Sequence, residues 1–562
     1  MVTDLIGLHD GEGDAVGTLG FADELLALAA CPIWGMLSDR IGVRYVSTIL
    51  CPRSSIIFPQ FLTSHPFIQV CVAGYAIIAV ALVVFVQAKN VYPQLLMGRL
   101  LFSLGGSAVS TMVTAVLPVV TGNLRGAQEY QPSMSSDSTL TPDRPTSPNV
   151  ASHGNQPKAA ANSPSSRLAG FVGMCAGCGA LVSLAVFLPL PDRFQKSGSS
   201  PTQAIKNSYY IVAAVAVLVS VCCLIGLRNL PGEEGKGWKW LLSTFGRHEP
   251  EEEHDNQEYP VEGLSRLPYW KQLSTALALG FQNRDILLGY IGGFVARASS
   301  VGISLFIPLF VNHYYRASGL CGKNPKEISG SDMSDIKRSC SDAYILASIL
   351  TGVSQLVALI AAPAFGFLSD KSQRHHLPLL TASLAGIVGY LVFASLHSPQ
   401  FKGSDGSPGV FVLMALIGFS QIGAIVCSLA VLSNGILNLG AREDVPVVSN
   451  HQRGEQSTET RANDANDVYE DPNEHQALLT GPENQSGRGQ HLSQLKGSIA
   501  GVYSLYGGAG ILLLTKLGGF LFDALSSGSP FYLMAAFNAI LLFAGVVCGL
   551  MSKSKSAVAH AA

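Results

Sequence analysis

Asp23, Glu24, Arg99, Arg297 and Gln355 stand in stretches of sequence that are otherwise almost wholly apolar. A charge in such surroundings has to be paired, hydrated or functional. A desolvated carboxylate such as Glu24 can carry a proton, and a guanidinium such as Arg297 can hold an anion or a carboxylate. A structural ion pair, for instance Glu24 with Arg99, is the alternative and stays open at this level. Glu24 lies 15 residues before Asp39, about 22 Å along a helix at 1.5 Å per residue. No nucleotide loop, nucleophile triad or metal-ligand cluster accompanies these residues, so we expect neither an enzyme nor a metal or cofactor.

The elements that must position these groups are long apolar blocks. Of 562 residues, 48% are hydrophobic and only 13% charged, about half the charge of ordinary soluble domains. The formal net charge of −2 offers nucleic acid no basic face. A span needs roughly 20 apolar residues, and backbone in lipid must bond to itself, which favours helix. Blocks meeting that requirement run near 16–37, 70–88, 95–121, 168–190, 208–229, 286–311, 342–368, 377–396, 409–434, 497–521 and 530–551. We therefore expect an all-α polytopic membrane protein with eleven spans, its partner being the lipid bilayer. Of the 36 Lys and Arg, 23 fall on one side of these spans and 10 on the other. The first side is cytoplasmic by the positive-inside rule. It also receives the polar inserts 122–166, 230–285 and 440–495 and the tail 552–562. Lys516, near the exterior end of its block, is expected to snorkel.

An internal repeat divides the chain. Residues 23–39 match residues 354–370 at nine of seventeen positions without a gap, including Pro32/Pro363, Gly35/Gly366 and Asp39/Asp370. At the same offset of 331, Gly170, Gly177 and Gly179 fall on Gly501, Gly508 and Gly510. Two pseudo-symmetric helical bundles follow, 1–229 with five spans and 286–551 with six, joined by the cytoplasmic linker 230–285. Glu24 aligns with Gln355, so both halves place a polar group at one depth, as a central cavity would require.

The stretch Gly35-Met36-Leu37-Ser38-Asp39-Arg40-Ile41-Gly42-Val43-Arg44 resembles the signature loop of the major facilitator superfamily, with a weaker copy at Gly366–Arg374 that keeps Asp370, Lys371 and Arg374. The resemblance implies a twelve-helix transporter working by alternating access, with Gly35, Asp39, Arg40, Gly42, Arg44, Gly366, Asp370, Lys371 and Arg374 as gating motif. Asp39 at a helix end could pair with Arg40, Arg44 or a neighbouring helix N-terminus. Arg99 with Gly105 partly matches a family pattern. The glycines of 168–190 are similar to the fifth helix of drug/proton antiporters but lack its proline. The function expected is secondary transport of a small organic solute by a monomer, coupled to protons and directed to efflux. Proton-coupled nutrient uptake and a non-transporting membrane sensor are the alternatives.

Relative to that family the first helix is missing, and residues 46–69 replace a short join. Their ends are compatible with a retained intron, so we expect a late start codon and an unspliced segment. Cys321 and Cys340 flank an exterior loop and could form a disulfide, whereas Cys175 and Cys178 lie in an apolar helix unsuited to zinc. Glu474, Leu478 and Leu479 match an acidic dileucine sorting signal, which suits a vacuolar membrane, with the plasma membrane as alternative. Asn484 heads a glycosylation sequon on the cytoplasmic side, where it would stay unused.

Overall fold

A computed structural model of the chain describes residues 12–41, 70–129, 164–187, 189–226, 269–319, 341–372, 376–401, 406–441 and 495–561. All regular structure among them is helical. Eleven helices are long and apolar enough to span a bilayer. They are α1 (Glu12–Ile41), α2 (Val70–Gln87), α3 (Leu96–Glu129), α4 (Pro164–Val182), α5 (Pro201–Gly226), α6 (Arg284–Val301), α7 (Ser341–Lys371), α8 (Leu377–Ala394), α9 (Gly409–Ala441), α10 (Lys496–Leu513) and α11 (Ser529–Ala561). Each falls on one of the apolar blocks. The helix α6 continues through a π-turn at Gly302–Phe306 into Ile307–Ala317, and α10 through Leu514–Gly518 into Gly519–Ala524.

The repeat seen in the sequence is reproduced in the packing. Within the first half α2 lies between α3 and α5, and α1 packs on α3. In the second half α8 lies between α9 and α11, and α7 packs on α9. The two halves meet through α1 against α10 and through α7 against α4, again an equivalent pair. Even the π-turns obey the offset of 331: Ser183–Phe187 after α4 matches Leu514–Gly518 after α10. The symmetry has one gap. Packed on α9, α10 and α11, α6 has no equivalent in the first bundle among the described residues.

Apolar helices in lipid gain little from hydrophobicity by meeting one another, so close approach depends on small residues. A Cβ on Gly35 would stand 2.8 Å from the Cα of Gly501, and one on Gly366 would stand 2.8 Å from the Cα of Gly170. These are the repeat-related contacts of the two inter-bundle pairs. The second bundle also has a continuous core with Tyr290, Tyr390, Phe306, Phe365, Phe393 and Phe531 fully buried. The rings of Phe310, Phe393 and Phe531 meet at centroid distances of 4.8 to 5.7 Å.

The end of the segment expected to be a polar linker is a helix, Tyr269–Gln282, joined to α6 through Asn283. The Asn283 side chain accepts a hydrogen bond from the Asp285 backbone N–H at 3.0 Å and so caps α6.

Candidate functional site: a paired inter-bundle contact and a polar belt

At the C-terminal end of α1, Asp39 sits against the first turn of α10. Its Oδ1 accepts the Gly497 N–H at 2.6 Å, and its Oδ2 accepts the Ser498 N–H at 2.6 Å and the Ser498 hydroxyl at 2.5 Å. Of the three partners the sequence left open, the helix N-terminus is present among the described residues, and it suits a carboxylate because its N–H groups lack intrahelical acceptors. Gln272 of the linker helix also donates to Oδ2 at 3.5 Å. In the second copy Asp370, at the end of α7, accepts from the Nε of Arg167 in the first turn of α4 at 2.6 Å. Arg167 also lies over the Phe367 ring, 5.8 Å from its centroid. Beside it the Ser165 hydroxyl bonds the Asn434 side-chain oxygen at 2.6 Å, joining α4 to α9. Lys371 is exposed. Ser38 and Ser369, equivalent positions, are both buried.

Away from these contacts a polar belt links helices within each bundle. The Nη2 of Arg99 lies 2.5 Å from Asp23 Oδ2 and its Nε donates to the same oxygen at 2.6 Å, tying α3 to α1. The Ser103 hydroxyl adds a 2.7 Å bond to the Asp23 carbonyl oxygen. The partner of Arg99 is thus Asp23, not Glu24. Neighbouring residues on a helix point about 100° apart, so when Asp23 faces α3, Glu24 faces elsewhere. Among the described residues Glu24 has no hydrogen bond or ion pair, and it lies in the field of Arg297 from the other bundle as well as of Arg99. The Arg297 side chain packs on α10 where residue 507 is glycine: a Cβ there would lie 2.7 Å from its Cγ.

The second bundle repeats the arrangement without charge. On α7, Gln355, the counterpart of Glu24, donates to the Gln421 side-chain oxygen on α9 at 3.3 Å, and Gln421 donates to the Ser300 hydroxyl on α6 at 3.0 Å. Equivalent helix pairs therefore carry a charged link in one half and an amide link in the other. Gln421 and Ser300 were missed in the sequence because neutral polar residues are common in spans. Glutamine is rarer there than serine, and the depth shared by Gln355 and Gln421 was the available signal. Toward the other end of the bundles the Lys516 Nζ stands 4.3 Å from the centroid of the Phe21 ring, bridging the continuation of α10 to α1.

The sequence model of the Major Facilitator Superfamily matches residues 159–441. The chain belongs to that family. The protein is accordingly a multi-pass membrane protein built as a secondary transporter. Among solved structures, the human organic anion transporter MFSD10 shares 11% identity at TM-score 0.45, with 94% of this chain and 83% of that one covered. The proton:xylose symporter XylE bound to 6-bromo-6-deoxy-D-glucose shares 10% at 0.47, covering 96% and 88%. The E. coli fucose:proton symporter FucP shares 12% at 0.44, covering 95% and 98%. No curated protein matches the sequence.

Several positions of interest to a facilitator lie outside the described residues. These are the side chain of Arg40 and all of Gly42 and Arg44 in the signature stretch, Arg374 in its copy, and residues 46–69. So do Cys321 and Cys340, the dileucine residues Glu474, Leu478 and Leu479, and Asn484. Cys175 and Cys178 are both exposed on α4 and free.

Proposed function

We propose that this facilitator moves a small organic solute by alternating access, coupled to protons and in the efflux direction, as a monomer in a vacuolar or plasma membrane. The reading rests above all on one observation: the glycine contact with an adjoining aspartate occurs twice, once in each inter-bundle helix pair, at the same end of the molecule. Two matched contacts that release together let the bundles rock about a midplane site, the arrangement expected where repeats meet. Gly35, Asp39, Gly366 and Asp370 form that cytoplasmic gate, with Arg40, Gly42, Arg44, Lys371 and Arg374 following them in the two copies of the motif. The π-turns after α4 and α10 supply the exterior halves with a place to bend.

Glu24 is the proton carrier in this reading, Arg297 the cation that faces it across the bundle interface, and Gln355 a polar contact for the solute. The Asp23–Arg99 pair holds α1 to α3 while the carrier beside it titrates. The test is flux in proteoliposomes with an imposed pH gradient. Efflux coupling expects solute to accumulate on the side from which protons leave; accumulation with the proton flow means uptake by symport. Glu24→Gln is expected to abolish the response to the gradient while leaving solute exchange at equal pH. A gradient response kept in that variant would remove Glu24 from the coupling. A sensor would show no flux with any solute tried, although Glu24→Gln and Arg297→Ala altered signalling.

The pair beside the carrier gives a second test. Arg99→Gln leaves the Asp23 carboxylate in a poorly solvated place without its cation, and Asp23→Asn does the converse. Each single variant is expected to lower the melting temperature in detergent more than the double variant does. Additive losses would mean that the pair contributes nothing as a pair.

A further inference from the structure

The helix Tyr269–Gln282 has two unlike faces. Gln272, Ala276 and Leu279 are buried against the bundles. On this face Tyr290 of α6 donates its hydroxyl to the Ala276 carbonyl oxygen at 3.2 Å, and Gln272 reaches Asp39. The other face carries Trp270, Ser274, Leu277 and Phe281, whose spacing of four, three and four residues makes one stripe on a helix. Trp270 is 81% exposed and Phe281 67%. Large apolar side chains aligned and bare in this way mark a surface that something covers.

Position identifies the cover. The helix is joined by one residue to the cytoplasmic end of α6, so its stripe adjoins the lipid-facing surface of the spans, at the level where acyl chains give way to headgroups. Lys271, exposed beside the stripe, is placed for lipid phosphate. Tryptophan and lysine at that depth, with leucine and phenylalanine on the same helix, match the chemistry of an interfacial helix.

We propose that Tyr269–Gln282 is an interfacial anchor, its Trp270–Leu277–Phe281 stripe seated in the cytoplasmic leaflet of a phospholipid bilayer and its inner face latched on Asp39. Lipid seating then holds Gln272 over the closed cytoplasmic mouth, and unseating the helix weakens that closure. The latch rests on the reading of Asp39 as a gate; the anchor does not.

The anchor is tested with the full chain in phosphatidylcholine–phosphatidylserine vesicles in which the phosphatidylcholine is brominated. Trp270 is one of four tryptophans, so its emission is taken as the difference between the unaltered chain and Trp270→Phe. The expected result is that this difference is lost to bromolipid and resists aqueous iodide. Quenching by iodide instead would place the stripe in water, and quenching by neither would mean that protein, such as a second copy, covers it; both overturn the anchor. The latch is read by a membrane-impermeant maleimide applied from the cytoplasmic side to a chain that keeps Cys31, below the mouth, as its only cysteine. Leu277→Asp with Phe281→Asp is expected to raise the labelling rate several-fold. Gln272→Ala should raise it too while lipid quenching of Trp270 persists. Unchanged labelling in both variants overturns the latch. An unchanged rate in Asp39→Asn would instead sink the gate itself.

Discussion

Gly35→Val is expected to lower transport at least about tenfold while making Cys31 accessible from the cytoplasm. A Cβ on Gly35 would collide with the Gly497 carbonyl oxygen and stand 2.8 Å from the Cα and 2.9 Å from the N of Gly501. Every one of those atoms is backbone, so no side chain can rotate aside and α1 must move off α10. Overpacking of this kind costs about 1–3 kcal/mol, and a penalty near the upper figure shifts the balance between closed and open mouths by roughly a hundredfold. A transporter that cannot close one mouth cannot complete its cycle. Gly20→Val on the same helix is the control, since a Cβ there meets nothing within 4 Å; it should leave both readouts unchanged. Gly366→Val is expected to resemble Gly35→Val, because its Cβ would meet Gly170 Cα at 2.8 Å and Ser166 O at 3.0 Å. Normal flux in both glycine variants would show that the closed packing is not part of the cycle.

The second large effect is expected from Asp39→Asn, which should slow transport about tenfold or more. The side chain keeps its shape but loses the charge that faces the α10 N-terminus, an interaction worth about 0.3–2 kcal/mol, and one of the two oxygens that accept from Gly497, Ser498 and Gln272. Charge-assisted bonds to backbone N–H groups are roughly twice as strong as neutral ones. Asp370→Asn should cost less, about threefold, since Arg167 opposite it is 50% exposed and solvent screens such a pair. Flux in matched proteoliposomes decides the order. Equal losses would mean that the second copy is as tightly coupled as the first.

Much of this architecture is legible in the chain. Eleven apolar blocks end within a few residues of the eleven spans, because the bilayer sets a length that a helix can meet only with some twenty apolar residues. The offset of 331 that aligns Gly35 with Gly366 and Asp39 with Asp370 also relates their contacts in space and the two π-turns, since both halves repeat one packing solution. The helix at 269–282 was hidden within a polar segment: 14 residues beside charged ones give hydropathy little to register, and its two-sidedness shows only once Ala276 and Leu279 are buried.

The charges divide differently. The sequence determined which ionisable groups lie at membrane depth, how deep, and that Glu24 and Gln355 are counterparts, because depth follows from rise per residue. Which groups meet was decided by the tertiary structure alone. Arg99 chose Asp23 over Glu24, a matter of 100° around α1 that depends on how α3 lies beside it. Asp39 bonds to residues 458 and 459 positions away, partners that no local spacing announces. Helices as apolar as the lipid around them have no hydropathic preference for a neighbour; the fit of glycine against backbone settles which helices touch, and only then which charge finds which partner.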